Sequence, residues 1–162
     1  MKDIDIKCND GNFKLRTTAL IIKENKILLE KSRREEGYCF PGGHVEFGTT
    51  TTETILREVK EEINMDAKII DLYCIAENIY LDKNNKINQE INYYYKLECD
   101  SFLNFDDFTI TENDKGEIKT HYFKWFDISE IDKIDLRPIG IVKNIQKNIN
   151  LKDQIMLFDQ RK

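Results

Sequence analysis

The sequence predicts an α/β (α+β) fold, a mixed β-sheet with helices packed on its faces. Three observations carry this reading. Runs rich in apolar and β-branched residues recur along the chain, at 13–23, 66–81 and 91–99. One segment, 51–63, has clear helical periodicity instead. No apolar run approaches the length needed to span a bilayer, so sheet and helices must bury one another's apolar faces. At 162 residues, with no repeat and no linker rich in Pro, Gly or Ser, residues 1–162 read as a single domain.

The elements follow in order. FKLRTTALIIK (13–23) and KILLEKS (26–32) read as strands joined at a polar turn, a hairpin. YCF (38–40) is a short strand that stops at Pro41. Residues 51–63 form a helix that starts within the threonines of 49–52, which cap well and propagate poorly. A long strand at 66–81, a turn at 82–86 and a returning strand at 91–99 come next. Residues 100–120 are polar and acidic and read as a loop with Gly116 at a tip. THYFKWF (120–126) is a strand, DISEI (127–131) offers a helix start at Ser129, and a last helix runs from Pro138, in its first turn, to about Asn148. The tail from Leu151 has no clear assignment.

Composition narrows the function. The chain carries 25 basic and 30 acidic residues, a net charge of −5. Such a surface disfavours a nucleic-acid polymer as partner, and contact with phosphates would need a mediating cation. Cys8, Cys39, Cys74 and Cys99 include no CxxC pair, and the histidines are His44 and His121 alone, which argues against a disulfide framework and a structural zinc site. The N-terminal segment lacks the apolar centre of a signal peptide, so no membrane association and a cytoplasmic location are the expectation.

Helix 51–63 raises a question of charge. Ile55, Leu56, Val59 and Ile63 fall on one side of the wheel, a core stripe. Glu58, Glu61 and Glu62 gather on another at i, i+3 and i+4, and Glu53 and Arg57 form an i, i+4 pair. In a partly buried cleft of effective dielectric ~20, each carboxylate pair would repel by roughly 3 kcal/mol. Three such groups either sit on a wet surface or surround a cation, and hard ions such as Mg²⁺ take oxygen ligands of this kind. Acidic runs are common on solvated faces. The neighbouring Gly42 and Gly43, the loop of fixed length and Arg57 directly before the acids favour the cation.

The segment resembles the signature of the Nudix hydrolase superfamily, G-x5-E-x7-R-E-U-x-E-E-x-G-U, where U is a bulky aliphatic residue. Gly43, the run Arg57-Glu58-Val59-Lys60-Glu61-Glu62 and Met65 match in register, and Pro41-Gly42 before them is also familiar. Thr49 stands where the family has Glu, and Asn64 where it has Gly. Asn tolerates the left-handed conformation wanted after a helix, so the second departure is easily absorbed. The first removes a Glu that ties loop to Arg57, and a looser loop is expected.

The resemblance implies an α/β/α sandwich and hydrolysis of a phosphoanhydride in a nucleoside diphosphate linked to another group, such as a nucleoside triphosphate or nucleotide sugar. It implies Mg²⁺ or Mn²⁺ as cofactor, with Glu58 and Glu62 as first-choice ligands. Glu61 would be a further ligand or the base, the Gly42 carbonyl an additional ligand, and Glu58, Glu61 and Arg57 the catalytic group. A non-catalytic nucleotide-sensing module of the same fold is the alternative, kept open by Thr49. Arg33 and Arg34 are candidates for distal phosphates, and Tyr38 and His44 for contact with a small nucleotide substrate. Tyr93, Tyr94, Tyr95 and Trp125 could stack on a base but suit a core equally. Glu112 and Glu117 could add a further acid, although a solvated loop is the plainer reading; His121 has no assigned role. A homodimer is possible.

Overall fold

The computed structural model describes residues 2–31, 37–99, 104–114, 116–149, 151 and 154–160. Arg33 and Arg34 therefore lie outside the described residues. Eleven strands and two helices are seen among them: β1 (Asp5–Lys7), β2 (Gly11–Lys23), β3 (Lys26–Lys31), β4 (Tyr38–Cys39), β5 (Gly42–His44), α1 (Thr51–Ile63), β6 (Lys68–Leu81), β7 (Ile87–Glu98), β8 (Phe108–Asp114), β9 (Glu117–Asp127), β10 (Leu136–Arg137), α2 (Ile139–Gln146) and β11 (Ile155–Gln160). A 3-10 turn, Ile128–Lys133, follows β9.

The predicted hairpin is β2–β3, turning at Glu24, whose φ of +55° puts it in the left-handed region, and Asn25. The main path of the sheet runs β10-β4-β3-β2-β7-β6-β11. β2 is its hinge: it pairs parallel with β7 from Gly11↔Ile87 to Ile21↔Leu97 and antiparallel with β5 from Arg16↔His44 to Thr18↔Gly42. β6 and β7 form a long antiparallel hairpin. At its turn the Asp82 carboxylate accepts from the backbone N–H groups of Asn84 and Lys86 at 2.8 and 3.0 Å, the local bond that makes Asp a turn former.

Alternation along the strands sends side chains to two cores. Leu20, Leu29, Phe40 and Tyr94 pack with Ile141, Val142 and Ile145 of α2. Ala19, Ile21, Leu28 and Tyr95 pack with Ile55, Val59 and Ile63 of α1. One helix on each face of a mixed sheet is the predicted α/β/α sandwich. Burying each of those α1 side chains contributes roughly 1.5–3 kcal/mol.

Four details differ from the sequence reading. Residues 108–114 and 117–127 are strands β8 and β9, paired from Phe108↔Phe123 to Asp114↔Glu117, where a loop was expected up to 120; Gly116, at φ +92°, does mark the turn. Leu56 is 37% exposed and does not belong to the core stripe, whereas Thr54, 1% exposed, is buried on the face of the helix that carries Ile55 and Val59. Pro138 caps α2 from outside its first turn, and the helix ends at Gln146. The unassigned tail contributes β11, an edge strand parallel to β6. None of the helices among the described residues is long and apolar enough to cross a membrane.

Candidate metal centre

Helix α1 is held at both ends by side-chain chemistry. Thr50 is the N-cap, its hydroxyl accepting from the Glu53 N–H at 3.1 Å while the Glu53 carboxylate accepts from the Thr50 N–H at 2.8 Å, a capping box. Glu53 is thereby engaged at the helix start and does not pair with Arg57 as its spacing suggested. At the other end Asn64 adopts φ +58°, the left-handed cap anticipated for that position.

Arg57 instead bridges two acids of the cluster. Its guanidinium donates to Glu58 Oε1 at 2.7 Å and to Glu61 Oε2 at 2.6 Å, so one cation offsets the repulsion between them. Burial pushes the Glu58 carboxyl above its ordinary value, with Arg57 opposing and Glu61 adding to the rise. Glu61 is about half exposed, at 48% of its side chain, and Glu58 much less, at 15%.

The diglycine closes the site from β5. A β-carbon on Gly43 would overlap the Glu58 carboxylate, so only glycine leaves that carboxylate its place against the backbone. Gly42 sits at φ +140°, and its N–H donates to Glu62 Oε2 at 3.0 Å. Glu58 thus meets the β5 backbone at Gly43 and Glu62 at Gly42, while Glu61 joins them through Arg57. That all-oxygen set, with a cradle a methyl group would fill, fits a hard divalent ion.

Behind Glu62 lies a pair that the sequence did not single out. Glu30, 5% exposed, accepts or shares a proton with His121 Nδ1 at 2.9 Å, and His121, fully buried, stands 4.0 Å from Glu62 Oε1. Ligand atoms of Glu30, Glu62 and His121 lie within 4.8 Å of one another. A lone acid at the end of the apolar run of β3 was the available signal for Glu30; its partner is 91 residues away.

Thr49 replaces the family's Glu with hydroxyl bonds. Its Oγ1 donates to the Glu46 carbonyl at 3.0 Å and shares a hydrogen bond with Thr54 Oγ1 at 3.1 Å, so the loop meets the first turn of α1 and not Arg57.

The remaining candidates scatter. His44 lies across from Arg16, and its charged neighbours are Arg16, Lys14, Asp3 and Asp5. Tyr38 packs edge-on against Phe126 at 4.7 Å between ring centres and lines two cavities. Tyr95 and Trp125 are core residues on the α1 side, and Tyr95 shares a hydrogen bond with Thr51 at 2.7 Å. Tyr93 packs against that core, and Tyr94 is fully buried in the other. Glu112 and Glu117 lie on β8 and β9; their side chains fall outside the described part of the chain.

Comparisons with known proteins point to one family. The family model of the NUDIX domain matches residues 13–144. The "Probable DHNTP pyrophosphohydrolase" of Lactococcus lactis subsp. cremoris is 30% identical over 93 residues, 55% of this chain and 56% of that protein. The ADP-ribose pyrophosphatase of Methanocaldococcus jannaschii is 43% identical over 56 residues, 33% of each chain. The chain therefore spans about half or less of the length of these relatives. Among solved structures, the mutator MutT protein from Bacillus halodurans superposes with a TM-score of 0.59 at 18% identity, covering 89% of this chain and 86% of that one, a likeness of fold.

Proposed function

The chain belongs to the NUDIX domain family, and from that premise we propose that it is a Mg²⁺- or Mn²⁺-dependent hydrolase of a phosphoanhydride in a nucleoside diphosphate derivative. The observation that carries this reading is the convergence of Glu58 and Glu62 on the diglycine, with Gly43 lacking the β-carbon that would displace Glu58. Three carboxylates with one bridging arginine leave net negative charge at the site, which an anionic substrate cannot approach unaided.

In the proposed division of work, Glu58 and Glu62, with the Gly42 carbonyl, would hold the cation. When bound, the ion neutralises phosphate charge and lowers the pKa of a water molecule in its shell. Glu61, half exposed beside Arg57, would serve as the base toward the attacking water or as a further ligand. Arg57 orients Glu58 and Glu61 through its two donors. Glu30 and His121 fix the buried side of Glu62. Residues 1–162 would act as one domain. The names of the relatives support the same class: one is called a pyrophosphohydrolase and one an ADP-ribose pyrophosphatase.

The test is a panel of nucleoside triphosphates, dinucleotides and nucleotide sugars with Mg²⁺ or Mn²⁺, reading released phosphate or nucleoside monophosphate. Turnover of at least one member is expected, abolished by Glu62→Gln with the fold retained. No turnover with either ion, alongside a rise in melting temperature on adding nucleotides, would establish a binding module in its place.

A further inference from the structure

The partners of Arg57 are not those that helix geometry favours. An arginine pairs best with an acid four residues before it, which on α1 is Glu53. The helix cap has taken that acid: Glu53 Oε2 accepts from the N–H and from the hydroxyl of Thr50, each at 2.8 Å. The loop before the helix sends no carboxylate either, since it meets α1 through the neutral hydroxyl of Thr49 at Thr54. Arg57 turns instead to Glu61, in the less favourable order along the helix, and to Glu58, although adjacent helix positions do not normally face each other. Among the described residues it is bonded to no other acid.

Both partners belong to the proposed metal centre. Arg57 donates to Glu58 Oε1 at 2.7 Å and to Glu61 Oε2 at 2.6 Å, the short distances of charge-assisted bonds. Glu58 is largely buried, so that arm of the bridge lies where water and salt screen little. Glu62 already accepts from the Gly42 N–H with one of its oxygens. In the metal-free chain the crowded carboxylates need compensation, and a guanidinium carried on the same helix supplies it. The same positive charge opposes any cation that settles among these acids.

We infer that Arg57 is the resident counter-ion of this site: it balances charge that a divalent cation would otherwise balance, and so sets how much of that cation is needed to fill the site. Two effects of the arginine act on affinity in opposite directions. Holding Glu58 and Glu61 in line strengthens cation binding, and contributing a positive charge weakens it. Both bonds fall on oxygens of the proposed ligands themselves, so the charge dominates. Removing it should therefore tighten binding, whereas removing a group that only oriented the acids would loosen it. The inference rests on the hydrolase reading only for naming these acids as the ligands.

The test is the affinity of the full chain, stripped of metal, for Mn²⁺ by the paramagnetic resonance of the free ion and for Mg²⁺ by calorimetry. Arg57→Gln removes the charge and keeps a donor, and should bind both ions about tenfold more tightly than wild type. Arg57→Lys keeps the charge and should stay within about threefold. The metal-free Arg57→Gln chain should melt below wild type, and saturating Mn²⁺ should raise its melting temperature by more than it raises that of wild type. If the glutamine variant does not fold, Arg57→Met, which keeps an unbranched aliphatic stem, decides on the same terms. Unchanged or weaker binding by the neutral variant, equal tightening in Arg57→Lys, or no binding of either ion by wild type and variants alike would overturn the inference. Tighter binding by Arg57→Gln with no turnover of any nucleotide by wild type would uphold it and sink the hydrolase; unchanged binding beside normal wild-type turnover would do the reverse.

Discussion

Gly43 and the Glu58 carboxylate occupy adjoining space with no room for a methyl group between them. The obstacle at Gly43 is the end of a flexible side chain, whereas a β-carbon on Gly42 would run into the Thr17 carbonyl and approach Thr18 Cα to 2.9 Å. The two glycines therefore separate function from stability. Gly43→Ala should let Glu58 swing aside: stability changes by less than about 1 kcal/mol, while metal-dependent turnover falls at least about tenfold. Gly42→Ala, at φ +140°, should cost about 1–3 kcal/mol in strain alone. Denaturant melts of both variants beside activity assays check the contrast, and equal stability losses would refute it.

Thr49 joins the loop to the first turn of α1 at Thr54, in place of the tie to Arg57 that the family's Glu would supply. Thr49→Val keeps the shape and removes both bonds, to Glu46 O and to Thr54 Oγ1. At about 1 kcal/mol for each bond, urea melts should show a loss near 1–2 kcal/mol. No loss would mean that the loop is held by its neighbours and that Thr49 is a passive replacement.

Legibility in the sequence followed the range of the interaction. Helix α1 was readable from 51 to 63 because its periodicity, its threonine cap and its Asn64 stop are all local. The hairpin β2–β3 was readable for the same reason. Strand β8 and the first residues of β9 were not, although 120–126 was, because Thr109, Thr111, Glu112 and Lys119 hide the alternation of Phe108 and Ile110 in a polar background. The Glu30–His121 pair depends on β3 lying beside β9, with Glu30 opposite Phe123. Nothing local announces that. Arg57 was legible as a site residue, yet its partners were not: geometry gave Glu53 to the cap and left Arg57 for Glu58 and Glu61.

That long-range pair makes a third prediction. His121→Phe preserves the ring, which stacks on Phe123 at 6.1 Å between centres, and removes the nitrogen facing Glu30. Removing one hydrogen-bond partner from a buried acid costs about 1–3 kcal/mol. Glu62 loses a neighbour in the same step. Thermal melts should therefore fall by several degrees, and the Mg²⁺ concentration needed for half-maximal turnover should rise. A loss of stability with unchanged metal demand would make the pair a core feature with no bearing on Glu62.

The last prediction concerns pH. Burial lowers the His44 pKa from its ordinary value near 6.5, and Arg16 and Lys14 lower it further against the pull of Asp3 and Asp5. The folded chain thus prefers neutral His44, while the unfolded chain takes up a proton once pH falls to about 6.5. Stability from this residue is present in full above that pH and is lost as pH falls through the window between the unfolded and folded values. His44→Gln removes the titration and leaves every other group in place. Its melting temperature should drop less than that of wild type between pH 7.5 and 5.5, and parallel curves for the two proteins would show that His44 stays solvated enough to protonate freely in the fold.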